Sequence, residues 1–472
     1  MKHYIVRKLG THRGSPRVFL DINVMEDAGF APGRTYNREI DSDRKRLTLS
    51  LEPNGSFVVS RKEKSGKLLP VIDINNSKDL GMFEGHEAIR VVIEDRKIHI
   101  LPIASEAKRA ERLSRLKAGL ELDSIKTGGI SFGGGVLDHA AHAGLADAGI
   151  HAELALANEI DEDLLAHATS YNDIWCKTTL GIAAPMQELV QDHAAMGRLP
   201  QVDIFCGGIP CSGASKAGKS KRGLDMMESH PVVGHLVASA LMIINRINPS
   251  VVVIENVAPY ADTASAQILR HHLRDSGYEV QETVLAGKDF GALEDRVRWF
   301  LVAATKGITL DISDLAPAVR PVKRLNSVLE NIPEDAADWR TFSYLKEKEV
   351  RDQERGNCFA MQVVTPESTS CPTLRKGYQK AGSTDPLLAH PTNPDLLRPF
   401  TVAEHARIKE IPEHLVNGLG VVAGHALLGQ SVTYSSVRAL FNRIGQSLSE
   451  WKDSVTHGHG HNASVPLLRA VG

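Results

Sequence analysis

Cysteine is scarce, with five in 472 residues at positions 176, 206, 211, 358 and 371. An odd set without any Cys-x-x-Cys spacing excludes a disulfide framework. Together with the lack of a charged n-region and apolar h-region at the start, it leads us to expect a reducing cytoplasm. Excess charge of either sign is missing too: 55 Lys and Arg stand against 57 Asp and Glu. Any contact with nucleic acid therefore has to come from local basic patches. No run approaches the roughly 18 to 20 apolar residues that span a bilayer, so no membrane partner is expected. Core material is ample, since 42% of residues are hydrophobic, and the length suggests about three domains.

Residues 1–103 hold short alternating segments such as "RLTLSLEP" and "AIRVVIEDRKIHILPI", broken by glycine and proline, the pattern of a small β domain. Within it "VFLDINVMEDAGFAPG" (18–33) recurs loosely as "PVIDINNSKDLGMFEG" (70–85). Residues 104–125 read as a charged helical linker. Residues 126–304 alternate strand and helix patterns, which points to an α/β sheet. Strands are expected at "GGISF", "AELALANE", "VDIFCGG", "SVVVIENV", "EVQETVLAG" and "RWFLVAA". From 305 to 395 the periodicity dissolves into loops rich in Pro, Asn, Ser and Thr, a length of loop that usually serves recognition. Helical patterns return over 396–456, and 457–472, with alternating histidines, read as a flexible tail.

Four strand ends carry chemistry-bearing residues. "ISFGGG" leads through Phe132, Gly133, Gly134 and Gly135 into a helix, and the next strand ends at Glu159. A glycine turn at a helix N-terminus lets backbone approach a ligand, and an acid at the second strand's end can accept ribose hydroxyls. A tight turn beside a surface glutamate has the same signature. Cys211 follows Pro210 in "GGIPCSGAS", at the carboxyl end of a buried strand, where open α/β sheets place their ligand crevice. Lys216, Lys219, Lys221 and Arg222 follow and favour a thiolate, which makes Cys211 a candidate nucleophile. Cys206, inside the strand, reads as an inert buried thiol. "VVVIENV" ends in Glu255, either an ion-pairing strand end or an acid for a base ring. Arg296 and Arg298, two apart, share one face of an extended segment and suit either solvent or a carbonyl or phosphate oxygen.

In this order, from Gly128 to Trp451, the stretches resemble the DNA cytosine-5 methyltransferase family. "GGIPCSGAS" is similar to its Pro-Cys motif and "KAGKSKRGLD" to its catalytic loop. "ENV" at 255–257 matches its glutamate motif, and "EDRVR" at 294–298 resembles Gln-x-Arg-x-Arg with Glu294 in place of glutamine. "LLRPFTVAEHARIKEIPEHL" and "GQSV" at 429–432 resemble its closing segments.

The resemblance implies a class I S-adenosylmethionine-dependent methyltransferase: a Rossmann-like α/β sheet with a variable target-recognition region at 305–395. It implies S-adenosylmethionine as cofactor, with Glu159 on the ribose, Ile160 against the adenine, and Gly208, Pro210, Leu236 and Ser431 completing that wall. Cys211, Glu255, Arg296 and Arg298 would be catalytic, and Lys216, Lys219, Lys221 and Arg222 would contact DNA around a flipped cytosine. The implied partner is double-stranded DNA, alone or beside a cognate restriction endonuclease, with the enzyme monomeric. A branch resembling this family methylates transfer RNA, and a DNA-binding regulator with a degenerate methyltransferase domain is a third possibility. The repeat in 1–103 resembles the AbrB or SymE swapped-hairpin unit, and implies a pseudo-dimeric β-barrel. Its DNA-facing basic surface is expected at Arg13, Arg17, Arg34, Arg38, Arg44, Lys45 and Arg46.

Overall fold

The computed structural model describes residues 1–64, 66–210, 226–313, 315 and 321–456. They divide into two compact units, Met1–Glu111 and Arg112–Gly472, with the boundary inside the helix Ala104–Glu121.

The first unit is built of β1 (His3–Lys8), β2 (Gly10–His12), β3 (Ser15–Leu20), β4 (Thr35–Asp41) and β5 (Arg46–Leu51). These are followed by β6 (Phe57–Val58), β7 (Ser60–Lys64), β8 (Lys67–Ile74), β9 (Ala88–Glu94) and β10 (Lys97–Pro102). One sheet runs β1-β9-β10-β5-β4-β6 and the other β2-β3-β8-β7. Exchanging each of β1–β5 for its counterpart in β6–β10 reproduces both orders read backwards. Leu20, just before the first Asp-Ile-Asn, pairs with Ile72, just before the second. Thr48 pairs with His99 and shares a 3.0 Å hydrogen bond with its Nδ1. Each lies three residues beyond a left-handed turn residue, Lys45 or Arg96. Alternation along the strands sends Val18, Leu20, Leu47, Leu49, Ile72, Ile74, Val91, Ile93, Ile98 and Ile100 into one core shared by both sheets.

The basic surface expected on this unit is thinner than its sequence suggests. Arg38 is nearly buried, bonded to Asp79 at 2.8 Å and lying 3.7 Å over the Phe57 ring. Arg17 pairs with Asp73 and Arg46 with Asp41. A buried cation needs a counter-charge, so Arg38 serves the fold. Arg13, Arg34, Arg44 and Lys45 remain exposed.

The second unit centres on a seven-stranded sheet of β11 (Ile125–Ile130), β12 (Ala152–Glu159), β13 (Leu180–Ala183), β14 (Ile204–Gly208), β15 (Val251–Val257), β16 (Tyr278–Ala286) and β17 (Val297–Thr305). The order is β13-β12-β11-β14-β15-β17-β16. β17 alone runs antiparallel to both neighbours, and the remaining pairs are parallel. β14, β15 and β17 are near-continuously apolar because both faces are covered. One face packs Leu145, Leu440, Phe441 and Ile444 from the helices Val136–Asp147 and Tyr434–Thr456. The other packs Ile243, Ile244, Leu269 and Leu273 from Leu236–Ile247 and Ala264–Asp275. At the crossing of the first pair, a Cβ on Gly144 would sit 2.3 Å from the Arg438 carbonyl oxygen. Only glycine allows that approach.

The region 305–395 is not all loop. It contains the helix Ser343–Glu354 and strands Val363–Val364 and Leu387–Ala389, which join Leu397–Arg398 in a small sheet.

Candidate active site

The site lies at the carboxyl ends of β11, β12, β14 and β15, where the order reverses about β11 and β14. Chain leaving β11 turns through Ser131 (φ 49°) and Gly133 (φ 57°) to Gly135 (φ 75°), which caps the helix Val136–Asp147. A Cβ at Gly135 would lie 2.3 Å from Asn172 Nδ2 and 2.5 Å from the Phe132 ring, so the left-handed turn is closed to any other residue. Asn172 Nδ2 donates to the carbonyls of Gly134 (3.0 Å) and Gly135 (3.3 Å) and pins the turn.

Glu159 ends β12, and its carboxylate accepts three backbone N–H groups: Gly133 at 2.7 Å, Ile160 at 2.9 Å and Asp161 at 3.1 Å. A carboxylate offers about four lone-pair positions. One acceptor position therefore remains, enough for one ribose hydroxyl. Ile160 is 66% exposed, so its apolar side chain faces a ligand space and not the core. Leu236 is the reverse: 6% exposed, it packs in the core beneath and does not line the cavity described below.

β14 carries the chain through Gly208 to Pro210. Cys211, Lys216, Lys219, Lys221 and Arg222 lie outside the described residues. Gly208 pairs in register with Glu255, whose Oε1 is 2.8 Å from Arg298 Nε. Asn256 Nδ2 donates to the Ile209 carbonyl at 2.9 Å, tying the turn before Cys211 to the end of β15. Cys206 is buried, with Sγ 3.1 Å from Asp138 Oδ1. Burial and the Asp138 charge push its thiol well up, which leaves it inert, and burial raises Asp138 to about 7.

Arg296 is 3% exposed, and it donates to the Gly429 carbonyl at 2.7 Å and to Glu294 Oε1 at 3.3 Å. Burial lowers its pKa to about 10 against the pull of Glu294. Glu294 Oε2 sits 3.3 Å from Lys409 Nζ, both side chains wholly buried. Lys409 also donates to the carbonyls of Leu428 (2.6 Å) and Ser431 (2.9 Å). A buried Glu294-centred network thus ties Arg296 to the "GQSV" segment.

These elements enclose a cavity of about 460 Å³. Of the residues expected from sequence, Phe132, Gly133, Gly134, Glu159, Ile160, Gly208, Pro210, Glu255, Arg296, Arg298 and Ser431 line it. Gly135 stands behind the turn and Leu236 in the core. Sequence reasoning missed Asn256, Leu427 and Gly429 in the wall, and Asn172 and Lys409 behind it. Asn256 and Gly429 lie inside the recognised "ENV" and "GQSV" motifs, and Lys409 inside "LLRPFTVAEHARIKEIPEHL", which is a usable signal. Asn172 has none, because its partners Gly134 and Gly135 lie far away along the chain.

A family model described as C-5 cytosine-specific DNA methylase matches residues 139–446. The Type II methyltransferase M1.ScrFI of Lactococcus lactis subsp. cremoris is 24% identical over 261 residues, 54% of this chain and 65% of that protein. The tRNA (cytosine(38)-C(5))-methyltransferase of Schizosaccharomyces pombe is 28% identical over 224 residues, 43% of this chain and 65% of that protein. Among solved structures, S. pombe Dnmt2 methyltransferase superimposes with a TM-score of 0.53 at 19% identity. It covers 69% of this chain and 99% of that one, a likeness of fold.

Proposed function

The chain belongs to the C-5 cytosine-specific DNA methylase family, and on that premise we propose that it methylates C5 of a specific cytosine in double-stranded DNA. The observation that carries the proposal is the single cavity that holds the glycine turn, Glu159, Glu255 and both arginines, with Pro210, the residue before Cys211, in its wall.

Enzymes of this family use S-adenosylmethionine, which supplies an electrophilic methyl group when bound. The residues present suit it: Glu159 keeps an acceptor position for a ribose hydroxyl, and Ile160 offers an exposed apolar face. The helix N-terminus after Gly135 has no side-chain cap, and its first residues, Val136 and Leu137, line the cavity. On the substrate side, C5 of cytosine is a weak nucleophile until the ring is activated. The Cys211 thiolate would attack C6, and Glu255, in its acid form, would give its proton to N3, moving electron density to C5. After C5 is methylated, transfer of its proton to solvent breaks the C6–S bond and frees the thiolate, and N3 returns its proton to the Glu255 carboxylate, which restores the neutral aromatic ring. Arg298 orients Glu255, and Arg296 braces the wall. The base has to leave the duplex to reach this cavity.

DNA is preferred over transfer RNA because of the long segment 305–395 and the additional unit Met1–Glu111. We read that unit as a tandem AbrB- or SymE-like repeat, supported by its reversible strand orders and by the Leu20–Ile72 and Thr48–His99 pairings. Exposed Arg13, Arg34, Arg44 and Lys45 would meet DNA phosphates outside the methylated site. A cognate restriction endonuclease fits the Type II relatives.

The deciding experiment offers labelled S-adenosylmethionine with duplex DNA or with transfer RNA, using the full chain and Cys211→Ala. Label in DNA, lost in the variant while DNA binding persists, is expected. Label in transfer RNA alone would transfer the activity to RNA, and label in neither would leave a DNA-binding regulator.

A further inference from the structure

We propose that His139, Asp173 and His414 form a binding site for a late first-row divalent cation, with zinc as the probe. The three donors come from separate segments: the helix Val136–Asp147, the chain just after the helix Glu162–Tyr171, and the turn Glu413–Val416. His139 Nε2 lies 2.8 Å and His414 Nε2 3.3 Å from the same oxygen, Asp173 Oδ1. The donor atoms all fall within 4.8 Å of one another. Ligands held tetrahedrally at zinc distances stand about 3.3 Å apart, so small side-chain shifts bring all three onto one ion.

Two imidazoles and a carboxylate match the nitrogen and oxygen preference of zinc and its neighbours and not that of calcium or magnesium. Three protein donors leave room for water or a further ligand. Access is adequate, because His139 is buried but His414 and Asp173 reach solvent with side chains 42% and 70% exposed. The other His139 nitrogen, Nδ1, is 2.6 Å from the Tyr434 hydroxyl. That contact fixes the ring as the outer partners of metal-bound histidines do. Without a cation both rings must carry their proton on Nε2 and donate to the one oxygen Asp173 Oδ1, whereas with Nε2 unprotonated on each ring a cation would take all three donors at once. His142, on the same helix, bonds Thr127 instead and takes no part.

Occupancy would act on the cofactor side of the cavity without touching the reacting atoms. Asp173 adjoins Asn172, whose amide holds the carbonyls of Gly134 and Gly135. A cation clamping Asp173 between His139 and His414 stiffens the glycine turn and locks the segment 413–416 to it.

The test uses the full chain with His457, His459 and His461 replaced by alanine, since alternating histidines could take up stray metal. Expected is one equivalent of zinc retained through equilibrium dialysis and a melting temperature that rises with zinc. Asp173→Asn and His414→Ala, both at exposed groups, should each weaken zinc binding by about tenfold or more, and Tyr434→Phe by about tenfold. Cobalt(II) added to the tail-substituted parent should give visible ligand-field absorption, a readout independent of how the variants fold. No retained zinc in that parent, a featureless cobalt spectrum, or zinc affinities of Asp173→Asn and His414→Ala within twofold of it would each overturn the proposal.

Discussion

Glu294→Gln is expected to destabilise the second unit, although the change is isosteric and restores the residue of the motif that "EDRVR" resembles. Glu294 and Lys409 are wholly buried and 3.3 Å apart. Burial pushes Lys409 well below the ordinary lysine range; burial also pushes Glu294 up, but the Lys409 and Arg296 charges outweigh it and hold the carboxyl low. The two directions disagree on whether the pair is ionised, and geometry decides. Lys409 Nζ donates to the Leu428 and Ser431 carbonyls and stands at ion-pair distance from Glu294 Oε2, whose buried carboxylate needs a counter-charge. Removing one partner of a buried pair costs about 3–5 kcal/mol. The glutamine carbonyl still accepts a hydrogen bond and Lys409 can shed its proton, so about 3 kcal/mol is expected. All four tryptophans, at 175, 299, 339 and 451, lie in the second unit, so their fluorescence in urea reports on that unit alone. Adding Lys409→Met should reveal a coupling of about 2 kcal/mol between the two positions. Because the folded carboxyl lies below its unfolded value near 4.3, its contribution is present above that pH and lost as pH falls through the folded value. The gap between parent and Glu294→Gln should therefore narrow on acidification below about pH 4. A single variant within about 1 kcal/mol of the parent at neutral pH, or a gap that ignores pH, would refute the reasoning.

Gly135→Ala forces a Cβ to 2.3 Å from Asn172 Nδ2 at φ 75°. It should cost about 2 kcal/mol or more and weaken S-adenosylmethionine binding in calorimetry; unchanged affinity would detach the turn from the cofactor. DNA carrying 5-fluorocytosine at the target should become trapped on Cys211, since fluorine does not leave as the proton does. The absence of a denaturation-resistant adduct, where ordinary DNA is methylated, would count against attack at C6. Deleting residues 1–103 should weaken DNA binding and flatten its dependence on salt, and an unchanged slope would leave that unit without a phosphate-binding role. Asp79→Ala strands the Arg38 cation in the first unit and should cost about 3 kcal/mol of that unit's stability, read by circular dichroism on residues 1–111; a loss under 1 kcal/mol would contradict the buried pairing.

Strands were the most legible feature. "AELALANE" became β12, Ala152–Glu159, and "SVVVIENV" became β15, Val251–Val257, because apolar runs bounded by turns have one economical use in a covered sheet. The edge strand β13, Leu180–Ala183, was missed, as it is mostly exposed and lacks such a run. The helix Ser343–Glu354 lies in a stretch whose sequence reads as loop. It buries only Leu345 and shows no apolar stripe, relying partly on Lys348–Asp352 and Glu347–Arg351 pairs along its own turns.

By itself the sequence determined what neighbours along the chain can specify: the glycine turn into a helix, and Glu159 and Glu255 at strand ends. Each depends on local backbone chemistry, so a few adjacent residues suffice to record it. Tertiary structure alone decided that Ile160 faces the cavity while Leu236 is buried beneath it. It alone set Lys409 against Glu294, and His139 against Tyr434, 295 residues away. Such partners leave no periodicity to read, because a buried charge or ring selects them by distance in the folded chain, and that distance exists only once the sheet and its two helical faces have assembled.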